Sequence, residues 1–508
     1  MKFSFNEKLF DNLFVLDMAN NHQGSLDHGK RIINEFAKRI KCKKDINVAF
    51  KFQFRNLDTF IHKNHIKSSF NKHIHRFDST RLDLQTYQQL FNTIKDNKLI
   101  TCCTPFDEQS VDHILDMNFD IVKVASCSSR DWPLLEKVAE SGKPVILSTG
   151  GLTYNDIDDV VSFFEHRGVD FAIMHCISIY PTPNEDCNLA NIRELKLRYP
   201  GKIIGWSTHE DPNNYEPIQV AYSMGAKIFE RHVGINTKEH KLNKYSSTPD
   251  NVDKWIDSFV RAKELIGHSD RIENFSEKES ILDLKRGVYA KKDISPKSYL
   301  KLDDVYFAMP AYKNQLTSSE WNDSIKLKQS VKKDKQIKLS DISFKKEEKK
   351  ILKDALHTIK AILNKANVIL NSNFEVEYSH HYGVKNFYKY GATIINCINR
   401  EYCKKLIVML PNQKHPAHFH KRKEETFQVL YGTLTIFVDG KKHILSPGQT
   451  CLIQPGVWHS FSSNESCIVE EISTTHYNND SFYKDKKINS VERDERKTFV
   501  QNWGRFQI

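Results

Sequence analysis

Over the first 275 residues, short apolar runs alternate with stretches of helical periodicity. The runs are NLFVLDMA (12–19), NVAFKFQ (47–53), LITCCT (99–104), DIVKVAS (120–126), PVILST (144–149), DFAIMHC (170–176), KIIGWS (202–207) and KIFERH (227–232). Segments such as DWPLLEKVAES and NNYEPIQVAYSMG follow them with helix-like spacing. Eight strand-then-helix units predict an α/β fold, a (β/α)8 TIM barrel rather than an open doubly wound sheet. The pattern then changes. Residues 283–342 are short, β-rich and turn-punctuated, which predicts a small separate module. Residues 343–365 are lysine-rich with helical spacing and read as a charged helical linker between domains. From 366 to 508, runs such as KLIVMLP, ETFQVLYG, LTIFVDG and CIVEEIS are separated by turn signals (VDGKK, SPGQ). They predict an antiparallel β-barrel or jelly roll.

Polar residues gather where the barrel strands end: Asn20 and His22, Lys51 and Gln53, Thr104, Ser126, Ser148, Ser178 and Tyr180, Ser207 and His209, and His232. Barrels of this class place their catalytic groups at the C-terminal ends of the strands, so eight polar ends predict one shared site. His209 and His232 lie at consecutive strand ends, where two neutral imidazoles can share a divalent metal. Lys51 and Lys123 add fixed positive charge, and Thr104, Ser126, Ser148 and Ser207 add hydroxyls. Together they suit a small, multiply charged anion such as a phosphate ester with a carboxylate.

The formal net charge of +11 fits that reading, because the lysines are dispersed and no aromatic-basic nucleic-acid motif occurs. No apolar run reaches the length of a membrane span, and the N-terminus lacks a signal-peptide pattern. The ten cysteines form no repeated CxxC pair, which suits reduced thiols in a cytoplasmic enzyme.

The C-terminal region carries HFHKRKEETFQVLYG, which matches the first cupin motif (HxH, four residues, Glu, six residues, Gly). GQTCLIQPGVWH resembles the second, with the proline displaced by one. His418 and His420 would face inward from one strand, Glu425 from the next and His459 from a later one. That is a 3-His-1-carboxylate site for a divalent metal: Zn2+, Mn2+, Fe2+ or Ni2+. Glu424 should face outward, since alternation admits only one of the pair.

Residues 12–310 resemble the sialic acid synthase family, which condenses phosphoenolpyruvate with an N-acylated amino sugar. The resemblance rests on NNHQGS (20–25), KFQ (51–53), TPFD (104–107), KVAS (123–126), GKPVILSTGG (142–151), HCISIYPTPNEDCNL (175–189), IGWSTH (204–209) and GAKIFERH (225–232). The segment 286–310 is similar to the family's antifreeze-like (SAF) domain, which in the family closes the barrel mouth of a partner in a homodimer. The resemblance implies that His209 and His232 hold Mn2+ or Mg2+ and that Lys51, Thr104, Lys123, Ser126, Ser148 and Ser207 bind phosphoenolpyruvate. Gln53 and Tyr180 would line the sugar site. Asp17 stands where the family has a glutamate, Ser128 replaces a carboxylate, Ser178 replaces an asparagine, and Met309 precedes Pro310 in place of an arginine. The departures fall on sugar-facing positions, so the acceptor is expected to be an amino or deoxy sugar other than plain N-acetylmannosamine. Two other readings remain: a cupin-based sugar isomerase or epimerase, and a non-catalytic sugar-binding protein with a degenerate barrel. In all three the partners are small molecules, not nucleic acid or a membrane.

Overall fold

Each of the eight apolar runs forms a strand: β1 (Leu13–Asp17), β2 (Asn47–Phe54), β3 (Ile100–Pro105), β4 (Ile121–Val124), β5 (Val145–Ser148), β6 (Phe171–Cys176), β7 (Ile204–Thr208) and β8 (Ile228–His232). They pair in parallel in sequence order, and β8 returns to β1, closing a (β/α)8 barrel. The computed structural model describes residues 7–65, 71–269, 271–322, 324–344 and 348–504. The chain divides into two compact units, 1–272 and 273–508. Among the described residues, no helix is long and apolar enough to cross a membrane.

The barrel strands read as continuous apolar runs because both faces are covered. Phe14, Leu16, Phe50, Phe52, Val122 and Leu147 face the helical layer, whereas Leu13, Val15, Ala49, Ile121, Ile146 and Ile228 fill the lumen. Helix α1 (Leu26–Ile40) is a typical covering element. Ser25 caps it by accepting from the His28 amide at 3.2 Å, and Ile32, Ile33, Phe36 and Ile40 bury its inner stripe. Burying one such side chain stabilises the fold by about 1.5–3 kcal/mol. Two further helices matter for the site: α2 (Lys72–Ser79), after β2, and α3 (Pro249–Ile266), after β8. Gly205 in β7 sits where the lumen has no room for a side chain. A Cβ there would lie 2.3 Å from Met174 Sδ and 2.7 Å from the Ile228 carbonyl oxygen.

The second unit holds two β structures. Strands β9 (Gly287–Ala290) and β10 (Val305–Ala308) pair, as do β11 (Ile325–Leu327) and β12 (Ile342–Phe344), around Val288, Leu300, Leu316, Ile325 and Ile337. Helix α4 (Glu348–Lys365), expected as a linker, instead belongs to a core. Leu352, Ala355, Leu356, Ile359, Ile362 and Leu363 pack with Val376, Tyr378, Ile395, Leu406 and Val408. Its lysine content hides an apolar stripe at i, i+3 and i+4 spacing.

Beyond α4 come β13 (Glu375–Ser379), β14 (Ala392–Asn399), β15 (Tyr402–Met409), β16 (Lys414–Phe419), β17 (Glu425–Tyr431), β18 (Leu434–Val438), β19 (Lys441–Leu445), β20 (Thr450–Ile453), β21 (His459–Ser462), β22 (Cys467–Thr474), β23 (Phe482–Tyr483) and β24 (Lys497–Gln501). They form two antiparallel sheets, β20-β17-β22-β15-β14-β13-β24 and β19-β18-β21-β16-β23, the cupin arrangement.

Candidate functional site

Strand alternation builds the barrel site. Lumen-facing columns pass from apolar to charged toward the strand ends: Leu13, Val15, then Asp17; Ala49, Lys51, then Gln53; Ile121 then Lys123; Ile146 then Ser148; Ile228, Glu230, then His232. Asp17 is in register with Lys51 on one side and His232 on the other, which puts the three side chains at one level. A cavity of about 930 Å³ opens there. Its wall includes Asp17, Lys51, Gln53, Lys123, Ser126, Ser148, Ser178, Tyr180, Ser207, His209 and His232.

The charges on the cavity floor are buried and balanced. Lys51 Nζ donates to Glu230 Oε1 at 2.7 Å and lies 3.1 Å from Asp17 Oδ2. Lys123 Nζ donates to Ser148 Oγ at 2.5 Å and stands 3.8 Å from Glu230 Oε2. Burial opposes ionisation of Asp17, but Lys51 and then His232 outweigh it and hold the carboxyl below its usual range. Glu230 behaves likewise under Lys123 and Lys51. Burial pulls Lys123 down despite Glu230, whereas Asp17 and Glu230 overcome burial and push Lys51 up.

The two histidines are oriented for a cation. His209 Nδ1 is 2.8 Å from the Ile177 carbonyl and His232 Nδ1 is 3.1 Å from Asp17 Oδ2, which leaves both Nε2 atoms as donors to a metal. The rings stack at 5.4 Å. Burial pushes His232 down to about 4, keeping it neutral as a ligand must be. For His209, burial is outweighed by the Cys176 thiol and the Ile177 carbonyl, which raise it; a bound cation would require that proton to leave. The donor set fits a divalent ion.

Of the barrel residues singled out from sequence, Thr104 is not on the cavity wall. It pairs with Gln53 in the β2–β3 ladder, and its buried Oγ1 has no partner. Ser128 is buried, and its neighbour Cys127 reaches the cavity instead. Sequence reasoning missed Glu230, Arg55, Arg76 and Tyr245, all on the wall. The signal for Glu230 was its spacing, two residues before His232 on one strand. Arg55 continues the Lys51, Gln53 series at the same period.

Arg231, between Glu230 and His232, points the other way. It is 1% exposed and binds Thr208 Oγ1, Glu210 Oε1 and the carbonyls of Pro212 and Asn214. It therefore clamps the segment that carries His209.

The cupin unit holds a second cluster. His418, His420 and His459 are buried, and their ligand atoms lie within 4.8 Å of one another. Each Nδ1 meets a backbone carbonyl: Pro416 at 3.0 Å, Asp480 at 2.5 Å and Val457 at 3.2 Å. The Nε2 atoms are thereby presented together. His459 Nε2 and Glu425 Oε2 are buried and face one another at 3.2 Å, both turned toward the cluster. Glu425 is shared, however. Lys423 Nζ donates to its Oε1 at 2.5 Å and also to Glu471. Glu424 is exposed, as expected. Beside this cluster, His381 Nε2 lies 3.2 Å from His415 Nε2, and the His415 ring is 4.7 Å from His418.

Residues 39–271 match the profile of the NeuB family, and residues 405–470 match that of the cupin domain. An uncharacterized protein of Methanocaldococcus jannaschii is 32% identical over 295 residues, 57% of this chain and 82% of that protein. N-acetylneuraminate-9-phosphate synthase of Drosophila melanogaster is 30% identical over 241 residues, 46% of this chain and 63% of that enzyme, so the match spans a little under two thirds of its length. Among solved structures, a candidate spore coat polysaccharide biosynthesis protein E from Chromobacterium violaceum is 41% identical with a TM-score of 0.63, covering 65% of this chain and 99% of that one.

Proposed function

This chain belongs to the NeuB family, and on that premise we propose that its barrel condenses phosphoenolpyruvate with the open-chain aldehyde of an N-acyl amino sugar, giving a nonulosonic acid and inorganic phosphate. The observation that carries the reading is the gathering of Lys51, Lys123, three serine hydroxyls and the His209–His232 pair in one cavity at the strand ends.

Lys51 and Lys123 attract the phosphate and carboxylate of phosphoenolpyruvate, and Ser126, Ser148 and Ser207 fix their orientation by donating hydrogen bonds. His209 and His232 would hold Mn2+ or Mg2+. When bound, that ion polarises the aldehyde oxygen as a Lewis acid. Asp17 keeps His232 in the required tautomer and aims Gln53, whose Nε2 donates to its Oδ2 at 3.0 Å. Gln53, Ser178 and Tyr180 line the space left for the sugar. The methylene carbon of phosphoenolpyruvate bonds to the aldehyde carbon, whose oxygen becomes a hydroxyl. Water adds at C2, and collapse of the tetrahedral centre releases phosphate. Positioning and fixed charge supply most of the acceleration.

In the cupin, His418, His420 and His459, with Glu425, would hold a second divalent ion. Their anchored Nδ1 atoms support metal binding there; isomerisation or epimerisation of the same sugar is the second reading for that unit.

The test is phosphate release from phosphoenolpyruvate and Mn2+ with a panel of amino sugars, with products identified by mass. His232→Ala should abolish release and His418→Ala should spare it. Absence of acceptor-dependent release across the panel overturns the barrel assignment. Brisk release with micromolar N-acetylmannosamine overturns the expectation of a different acceptor.

A further inference from the structure

Beside the cupin histidines lies a second group of buried side chains, centred on Glu377 of β13. Glu377 is 2% exposed. Its Oε1 accepts from Lys497 Nζ at 2.6 Å and from Ser379 Oγ at 2.8 Å, and Arg493 Nη2 stands 3.6 Å from its Oε2. Burial opposes its ionisation, but Lys497 and then Lys405 outweigh it and hold the carboxyl below its usual range. Lys405 is 5% exposed, and among the described residues neither it nor Arg496 forms an ion pair. The Arg496 guanidinium carbon is 4.9 Å from the Tyr483 ring centroid, and its Nε and Nη1 are buried with no carboxylate or carbonyl oxygen accepting from them.

The other buried carboxylates described in this unit are committed elsewhere. Glu425 and Glu471 share Lys423, and Asp480 accepts from the amides of Lys421 and Arg422. Around Glu377, four cations therefore stand against one carboxylate. Such a surplus is costly away from water unless an anion joins it. The group also adjoins the histidine cluster. The Tyr483 ring lies 5.5 Å from that of His418 and 4.7 Å from that of His381. Lys497 and Arg496 both act on His381, so the His381–His415 pair is a poor place for a second metal ion and a good neighbour for an anion.

We propose that the cupin unit binds a sugar acid, with its carboxylate seated among Lys405, Arg493, Arg496 and Lys497 beside the divalent-ion cluster. The planar fork of Arg496 matches a planar carboxylate. A reaction order follows, and it rests on the proposed barrel chemistry. An N-acyl amino sugar carries no carboxylate, whereas the nonulosonic acid formed from it does. The cupin thus takes what the barrel makes and not what the barrel consumes.

The experiment is calorimetry on the full-length protein loaded with Zn2+. The probes are N-acetylneuraminate and glucuronate, each against its methyl ester, which differs only in charge. At least one acid should bind about 10–100-fold more tightly than its ester, as one or two charge-assisted hydrogen bonds imply. Arg496→Gln and Lys405→Met should each weaken that acid about tenfold, and His232→Ala should leave it unchanged. Lys405→Met should not lower the urea midpoint, because it removes a buried cation without an ion-pair partner. A lowered midpoint with unchanged affinity makes Lys405 structural and overturns the proposal. So does an ester that binds as well as its acid, or no binding of either acid. Binding lost in His232→Ala and kept in Arg496→Gln places the acid in the barrel and overturns it too. Tighter, Arg496-dependent binding of N-acetylmannosamine 6-phosphate overturns the choice of a carboxylate. Failure of the barrel to release phosphate would strike the reaction order and leave these titrations standing.

Discussion

Lys51 Nζ donates to Glu230 Oε1 at 2.7 Å across the barrel lumen, so a cation of the cavity floor is held by the residue two positions before His232. Glu230→Gln keeps the shape and removes the charge. Breaking one side of a buried pair costs about 3 kcal/mol, which urea unfolding of the variant should register. Unchanged stability would mean that Asp17 alone suffices.

Asp17 is one acceptor for three groups: Lys51, Gln53 and His232. Asp17→Asn should weaken Mn2+ activation about 10–100-fold, the usual effect of losing a carboxylate behind a ligating imidazole. The Mn2+ dependence of phosphate release and free Mn2+ by electron paramagnetic resonance both measure it. An unaltered Mn2+ curve would detach Asp17 from the metal site.

The cupin unit should be acid-labile. Burial pushes His415 down to about 3 and holds His381 and His418 well below the usual imidazole value. The unfolded chain takes up these protons near pH 6.5 and the folded one does not, so stability is full above that value and falls as pH drops below it. Each histidine contributes up to about 1.4 kcal/mol per pH unit. Urea midpoints at about pH 7.5, 6.5 and 5.5 should decline in that order, and midpoints that hold steady would contradict it.

Lys423 keeps Glu425 and Glu471 together in a buried site. Lys423→Met leaves two carboxylates uncompensated and should cost about 3 kcal/mol or more in the metal-free protein. Added Zn2+ or Ni2+ should recover part of the loss by binding the folded state. Thermal midpoints with and without metal check this, and a Tm equal to the parent's in both conditions refutes it.

Ile359 of α4 is fully buried against the cupin sheet. Ile359→Ala should cost about 2–5 kcal/mol. A loss below about 1 kcal/mol would return the helix to the role of a tether.

The barrel was legible because its strands are buried on both faces and separated by well-capped helices, so each run stands out. Lys51, His209 and His232 were legible because they end such runs. Glu230 was not, because the strand IFERH was read at its end and not phased back two positions from His232. Lys423 and Glu471 were missed for another reason: each is tolerated inside only because the other lies across the sheet, a pairing 48 residues apart. The β13–β24 pairing joins Glu375 to Gln501, and nothing local to either strand announces it. The stripe of α4 was masked by counting its lysines rather than phasing its leucines and isoleucines.

Arg231 fastens the chain just beyond His209 to the strand that carries His232. The spacing between the two imidazoles is therefore referenced to a few neighbouring residues, and through the Trp255 ring of α3, 4.9 Å from the Arg231 guanidinium carbon, to one covering helix. Changes in the outer helices that leave Trp255 in place, by drift or by design, do not touch this clamp. A change at Arg231, though it touches no reactant, would misalign both halves of that centre together.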